Sequence, residues 1–231
     1  MVEIKNNLES VRRRIAASCS ACGRDPAQVG LLAVSKTFGP EVVAQAYAAG
    51  QLAFGENYIQ EAVEKIQALA DLPLQWHCIG PVQSNKTRLV AEHFDWVQSV
   101  DRLKIAERLS AQRPPARGLL QVCIQINIDG GPSKSGVPPQ EALALAQALA
   151  ALPGLRLRGI MTIPEPAESE EAALAVHRRA QALFAHLRST GLDLDTLSMG
   201  LSGDLEPAIQ AGSTLVRVGS AIFGARAPLS P

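Results

Sequence analysis

Hydrophobic positions recur along the chain with two periods, and the two alternate. Near the start, Ile4, Leu8, Val11, Ile15, Cys19 and Cys22 are spaced by threes and fours, which places them on one stripe of an amphipathic helix over residues 1–24. Short apolar runs follow near 30–36, 52–55, 75–79, 95–98, 119–126, 155–161, 194–199 and 214–218, and each suits a strand buried on both faces. Stretches rich in Ala, Leu, Glu, Gln and Arg separate them at 58–70, 84–92, 102–112, 138–151, 168–189 and 204–211, with a shorter one at 40–49 closed by Gly50. Repeated βα units imply parallel strands joined by right-handed crossovers. Eight of them predict a single closed (β/α)8 TIM barrel of the α/β class, with an additional N-terminal helix. An open doubly wound sheet is the alternative, but it usually has fewer strands and a Gly-rich first turn. Here that turn is Lys36-Thr-Phe-Gly-Pro40, with one glycine.

Prolines and glycines mark the boundaries. Pro40 suits the first turn of a helix, and Pro138-Pro139 open another that Pro153-Gly154 end. Pro164 and Pro166 hold a loop after the sixth strand, and residues 227–231 read as a frayed tail. At 231 residues the barrel accounts for the whole span 1–231 as one domain.

Composition narrows the function classes. The 22 basic and 22 acidic residues balance, so no charge excess points to nucleic acid or a membrane surface. Arg12-Arg13-Arg14 reads as a solvated helix face. No apolar run approaches the ~20 residues of a membrane span, and the first residues lack a signal peptide's apolar core. A cytoplasmic protein is expected. Cys19 and Cys22 form a C-x-x-C pair, but both fall on the helix stripe and no second pair stands at zinc-ligand spacing. They read as buried thiols, and no metal site is expected.

The chemistry converges on Lys36. It closes the run Leu31-Leu32-Ala33-Val34-Ser35-Lys36, where strand alternation puts Leu32, Val34 and Lys36 on one face. An amine among core residues is disfavoured as a cation and gains nucleophilicity, which suits condensation with an aldehyde as a Schiff base. Near the other end, Ser198-Met-Gly-Leu-Ser-Gly-Asp204 and Thr214-Leu-Val-Arg-Val-Gly-Ser220 combine small residues, a helix start and an arginine on a strand. In a barrel, phosphate commonly sits on the loops after strands seven and eight, and strand eight closes against strand one. Ser202, Gly219 and Ser220 are the expected phosphate contacts. Arg217 needs an acceptor, because a buried guanidinium cannot neutralise itself. That acceptor is either a carboxylate or a pyridine nitrogen. The candidate ligand is pyridoxal 5′-phosphate.

The stretches Leu32-Ala-Val-Ser-Lys36, Phe54-Gly-Glu-Asn-Tyr58, Trp76-His-Cys-Ile-Gly80, Gln83-Ser-Asn-Lys86, Ser133-Lys-Ser-Gly136, Ser198-Met-Gly-Leu-Ser202 and Arg217-Val-Gly-Ser-Ala-Ile-Phe-Gly224 together resemble the pyridoxal phosphate homeostasis protein family, relatives of the barrel domain of alanine racemase. The resemblance implies that Lys36 carries the cofactor, that Arg217 faces the ring nitrogen, and that Ser202, Gly219 and Ser220 surround the phosphate. Leu201 stands where the family usually has methionine, a volume-conserving change. Asn57 and His77, at the ends of strands two and three, are candidates to reach the ring or its 3-oxygen; either can equally satisfy a buried backbone group. Lys134 matches a family lysine implicated in secondary handling of the cofactor and reads otherwise as a loop lysine. His93, His177 and His186 fall in helices and read as surface or packing residues.

Three functions compete. A carrier or buffer of pyridoxal phosphate, contributing to vitamin B6 homeostasis, is favoured by the resemblance. Its partners would be pyridoxal phosphate, other B6 vitamers and apo-enzymes that receive the cofactor, with the chain a monomer or weak homodimer. A racemase of the alanine-racemase type needs an acid and a base on opposite faces of the α-carbon, and only Tyr47 and Tyr58 are present as tyrosines. A Schiff-base aldolase would use Lys36 without needing Arg217.

Overall fold

Short strands and helices alternate from residue 30 onwards, and the sheet they build closes on itself. The computed structural model describes residues 2–131 and 135–224, so Lys134 and the expected tail lie outside the described residues. The strands are β1 Gly30–Val34, β2 Ala53–Glu56, β3 Gln75–Cys78, β4 Trp96–Val100, β5 Leu120–Ile126, β6 Leu155–Thr162, β7 Thr196–Ser198 and β8 Leu215–Val218. They pair in parallel in chain order, and β8 returns to β1 with Leu32 opposite Arg217. The helices are α1 Val2–Ala21, α2 Pro40–Ala48, α3 Ile59–Ala68, α4 Thr87–His93, α5 Leu103–Gln112, α6 Ala142–Ala150, α7 Glu170–Ser189, α8 Leu205–Gln210 and α9 Ser220–Phe223. The expected (β/α)8 barrel with its extra first helix is therefore present. No described helix is long and apolar enough to cross a membrane.

The stripe of α1 faces inward as the spacing required, with Leu8, Val11, Ile15 and Cys19 buried against the barrel's helices. Each such aliphatic side chain contributes about 1.5–3 kcal/mol by leaving water. The cysteines are free thiols. Arg13 is exposed as expected of a solvated face, but Arg12 and Arg14 depart from it. Arg12 donates to the carbonyls of Ala49 and Gly50, and Arg14 to Glu206 and to the Ser202 carbonyl. A planar guanidinium can satisfy several acceptors at once, which is how one helix is fastened to two parts of the barrel.

Most apolar side chains fill the layer between strands and helices. The barrel interior holds a smaller apolar group of Trp96, Cys123 and Met161 beside a file of polar groups. Arg217 donates to Ser198 Oγ at 2.6 Å, Ser198 donates to Gln98 Oε1 at 2.6 Å, and the Gln98 amide meets His77 Nδ1 at 2.9 Å. His77 Nε2 then meets Gln75 Oε1 at 3.0 Å. Because β4 and β7 are not neighbours, the Gln98–Ser198 bond crosses the interior. A buried polar group needs its partners, and this file supplies them in sequence.

One boundary differs in a way that matters. The first strand ends at Val34 rather than reaching Lys36. The Ser35 hydroxyl turns to Glu56 Oε1 at 2.6 Å, and Thr37 adopts φ 70°. That left-handed value is rare for a β-branched residue and ends any extended pairing.

Candidate functional site

A cavity of about 310 Å3 opens beyond the carboxyl ends of the strands and brings together Val34, Lys36, Asn57, Arg217, Gly219 and Ser220, with Ile79, Ile163 and the turn 201–203. Two larger clefts, of about 500 and 460 Å3, contain no lysine; the second adjoins the cavity, sharing Leu201 and Gly203 with it. Chemistry rather than size singles out the smaller cavity.

Lys36 reaches this cavity from the strap after β1. It is half-buried, so the expectation of an amine sunk among core residues is corrected: the strap lifts it past the strand's last core position to the mouth. Arg217 is the reverse case. It is 2% exposed and donates to Ser198 Oγ and, through Nη2, to the Thr162 carbonyl at 2.7 Å. Both acceptors are neutral. Burial lowers its pKa to about 10, against the pull of Asp204, so the guanidinium stays charged near neutral pH and presents that charge to the cavity.

The turn after β7 is pinned at both ends. Gly200 has φ +95°, and a Cβ there would lie 2.6 Å from the Ala208 Cβ, so only glycine lets the chain descend this way. The Leu201 N–H donates to Asp204 Oδ1 at 2.6 Å, while Asp204 Oδ2 meets His177 Nε2 at 2.9 Å. Burial alone would raise the Asp204 pKa. Its bonds to His177 and to the Leu201 N–H, with the charges of His177 and Arg217, outweigh burial and hold it below the usual carboxylate value. Ser202 and Gly203 are thus held at the cavity wall, while Asp204 turns to His177 and does not line the cavity. Asp204 precedes α8 as its cap residue. The neighbouring α8 and α9 have only six and four residues, so local backbone N–H groups, not a long helix dipole, are what this wall offers an anion.

Asn57 supplies the opposite polarity. The residue lines the cavity, and its Oδ1 is buried without a hydrogen-bond partner, a costly state that a donor brought within reach would relieve. Gly80 makes that placement possible, since a Cβ on it would fall 2.2 Å from the Asn57 carbonyl oxygen. An amine, a fixed cation, an unsatisfied acceptor and a turn rich in small residues fit a flat heteroaromatic aldehyde bearing a phosphate.

Relatives agree with that chemistry. The alanine racemase N-terminal domain family matches residues 3–227. The pyridoxal phosphate homeostasis protein of Pseudomonas aeruginosa is 57% identical over 226 residues, covering 98% of this chain and 97% of the relative. The chain belongs to the pyridoxal phosphate homeostasis protein family. Another member, from Escherichia coli K12, is 52% identical over 229 residues and 98% of each chain. PipY from Synechococcus elongatus, a structure with PLP bound, is 37% identical with a TM-score of 0.83, over 96% of this chain and 100% of PipY.

Among the site residues inferred from sequence for a pyridoxal phosphate homeostasis protein, Lys36, Asn57, Ser202, Arg217, Gly219 and Ser220 share one cavity. His77 does not join them. It is 1% exposed, stacks on Trp96 with ring centroids 5.0 Å apart, and has both ring nitrogens engaged by Gln98 and Gln75. Burial lowers its pKa to about 3, so it sits neutral within the file that ends on Arg217. Depth explains the displacement: His77 is the register partner of Gly55, one layer below Asn57, and Ile79, two residues further along the same face, lines the cavity instead.

His177 is a packing residue, one of the two expected options, and it also braces the turn through Asp204. Its burial was detectable: Ala173, His177, Ala180, Phe184 and Leu187 follow fours and threes on the buried face of α7. Lys65 and Glu56 went unnoticed. Glu61 stands four residues before Lys65, which reads from sequence as an ordinary solvated helix pair, yet Lys65 is 3% exposed and Glu56 1%.

Proposed function

We propose that the protein binds pyridoxal 5′-phosphate on Lys36 and serves as an intracellular carrier or buffer of the cofactor. The observation that carries the reading is the meeting of Lys36, Arg217 and the two phosphate-side turns in one cavity, in a chain 37% identical to PipY with PLP bound. When bound, the cofactor supplies an aldehyde that condenses with an amine, forming a Schiff base and releasing water. Lys36 offers that amine at the cavity mouth. Arg217, already charged, disfavours a second positive charge on a ring nitrogen beside it. Ser202, Gly203, Gly219 and Ser220 offer hydroxyl and backbone donors to the phosphate, and Asn57 Oδ1 accepts from the ring's hydroxyl.

The carrier reading is preferred to a racemase because neither Tyr47 nor Tyr58 lines the cavity, and Tyr58 is 51% exposed. An open mouth also lets an incoming amine displace Lys36, which delivery to an apo-enzyme requires. Other B6 vitamers carrying the phosphate would use the same donors.

Absorbance of the purified protein, with borohydride reduction and peptide mapping, tests the attachment. A pyridoxyl group on the Lys36 peptide is the expected result. A protein that stays colourless with added pyridoxal phosphate would refute it. Incubation with L- and D-amino acids in deuterated water tests the carrier role, and exchange at roughly one per second or faster would reassign the protein as a racemase.

A further inference from the structure

β1 stops at Val34; beyond it the Ser35 N–H still donates to the Gly55 carbonyl and the Phe38 N–H closes a turn onto the Ser35 carbonyl, and side chains add to this hold on the strap. The two residues flanking Lys36 are both held from one point on helix α3. Lys65 Nζ donates to the Ser35 carbonyl at 3.0 Å, to Glu56 Oε1 at 2.7 Å and to Glu61 Oε1 at 3.1 Å. An ammonium group has three N–H donors, and all three are used. Two of these acceptors reach back to the strap. The Ser35 hydroxyl donates to Glu56 Oε1 at 2.6 Å, and the Thr37 backbone N–H donates to Glu61 Oε1 at 2.8 Å.

The cost of this arrangement shows that it is more than neutralisation of a stray lysine. Lys65 and Glu56 have side chains only 2% and 0% exposed, and desolvating two charges is expensive even when they pair. Thr37 is held at φ 70° in the same place, a conformation a β-branched residue keeps only when its surroundings impose it. A pair serving the barrel alone needs neither the Ser35 carbonyl nor the Thr37 N–H. This one grips the residue before Lys36 and the residue after it, while Lys36 itself lines the cavity.

We propose that Lys65, with Glu56 and Glu61, is a positioning group for Lys36, fixing the direction and reach of its amine without touching the cofactor. The proposal rests on the reading of Lys36 as the cofactor-bearing lysine. In the condensation the Lys36 nitrogen forms the bond to the aldehyde carbon, and the aldehyde oxygen leaves as water. The knot raises the fraction of molecules in which that nitrogen is aligned for attack.

The test separates attachment from binding. Wild-type protein, Glu61→Ala, Glu61→Gln, Lys65→Met and Lys36→Ala are compared in two ligands. Pyridoxal 5′-phosphate is followed by the rate of borohydride-trapped labelling on the Lys36 peptide. Pyridoxine 5′-phosphate, an alcohol that does not condense, reports binding alone by titration. Hydrogen exchange over residues 35–38 of the ligand-free protein reports the strap. Glu61→Ala should slow labelling roughly tenfold to a hundredfold, as small misplacements of reacting groups do, and speed exchange at Thr37, while pyridoxine 5′-phosphate affinity stays within about twofold (each tenfold corresponds to 1.4 kcal/mol). Glu61→Gln keeps an oxygen for the Thr37 N–H and should recover most of the rate. Lys65→Met should be slower still; if it does not fold, the two Glu61 variants decide. Labelling of Glu61→Ala at the wild-type rate would overturn the proposal, as would equal losses for both ligands, which mark a purely structural knot. Wild-type protein unlabelled at Lys36, or Lys36→Ala labelled as well as wild type, would overturn the underlying reading and the proposal with it.

Discussion

Asp204→Ala perturbs the phosphate-side turn without altering any group proposed to touch the cofactor. The wild-type carboxylate accepts from the Leu201 N–H at 2.6 Å and from His177 at 2.9 Å. Hydrogen bonds to an ionised acceptor contribute about 1.5–3 kcal/mol each. The side chain is 25% exposed, so the lower part of that range applies, and the pair should be worth about 3–4 kcal/mol. For a chain of this size each kcal/mol corresponds to about 2–4 °C, so Tm should fall by roughly 6–16 °C. The pH dependence is the sharper check. The folded Asp204 pKa is held below its ordinary value, so its contribution is present above the unfolded pKa and lost as pH falls through the lower folded one. The stability gap between wild type and variant, from urea melts, should close below about pH 4. With the turn 201–203 loosened, the preference for pyridoxal phosphate over pyridoxal should narrow. A variant within about 0.5 kcal/mol of wild type, or a gap that does not close in acid, would refute the reasoning.

Other substitutions address separate parts of the structure. Gly80→Ala places a Cβ 2.2 Å from the Asn57 carbonyl oxygen, and backbone must move; a loss of about 1–3 kcal/mol in denaturant melts and weaker cofactor binding are expected. Gln98→Leu removes the partner of both His77 Nδ1 and the Ser198 hydroxyl, and stability should fall by about 2–5 kcal/mol; an unchanged melt would show the interior file to be dispensable. Burial raises Cys78 and Cys123 to a pKa of about 12, so neither should react with a thiol reagent at mildly alkaline pH until the protein unfolds, which mass mapping of the labelled peptides checks.

The legibility of the site followed the kind of signal each residue left. Lys36 and Arg217 stood out because a charged residue at the end of an apolar run conflicts with its neighbours, and such conflicts mark functional positions. Asn57 and His77 looked equivalent, each near the end of a short strand. Only the barrel separates them, because Gly55 and His77 are register partners while Asn57 lies beyond β2 at the mouth. Lys65 left no conflict at all, since a lysine four residues after a glutamate is ordinary on an exposed helix.

Periodicity and punctuation by themselves determined the order of eight βα units and the stripe of α1, because burial period and chain-turning residues are local properties. They also placed the two halves of the cavity at strand ends, since closing a parallel barrel makes the first and last strands neighbours. Tertiary structure alone decided how each group is held. The knot of Lys65, Glu56 and Glu61 around the Lys36 strap, the His177–Asp204 brace and the Arg217–Ser198–Gln98–His77 file join residues up to 100 positions apart. Such contacts depend on the angle at which helix meets strand and on which atoms lose water together, and no local spacing encodes those.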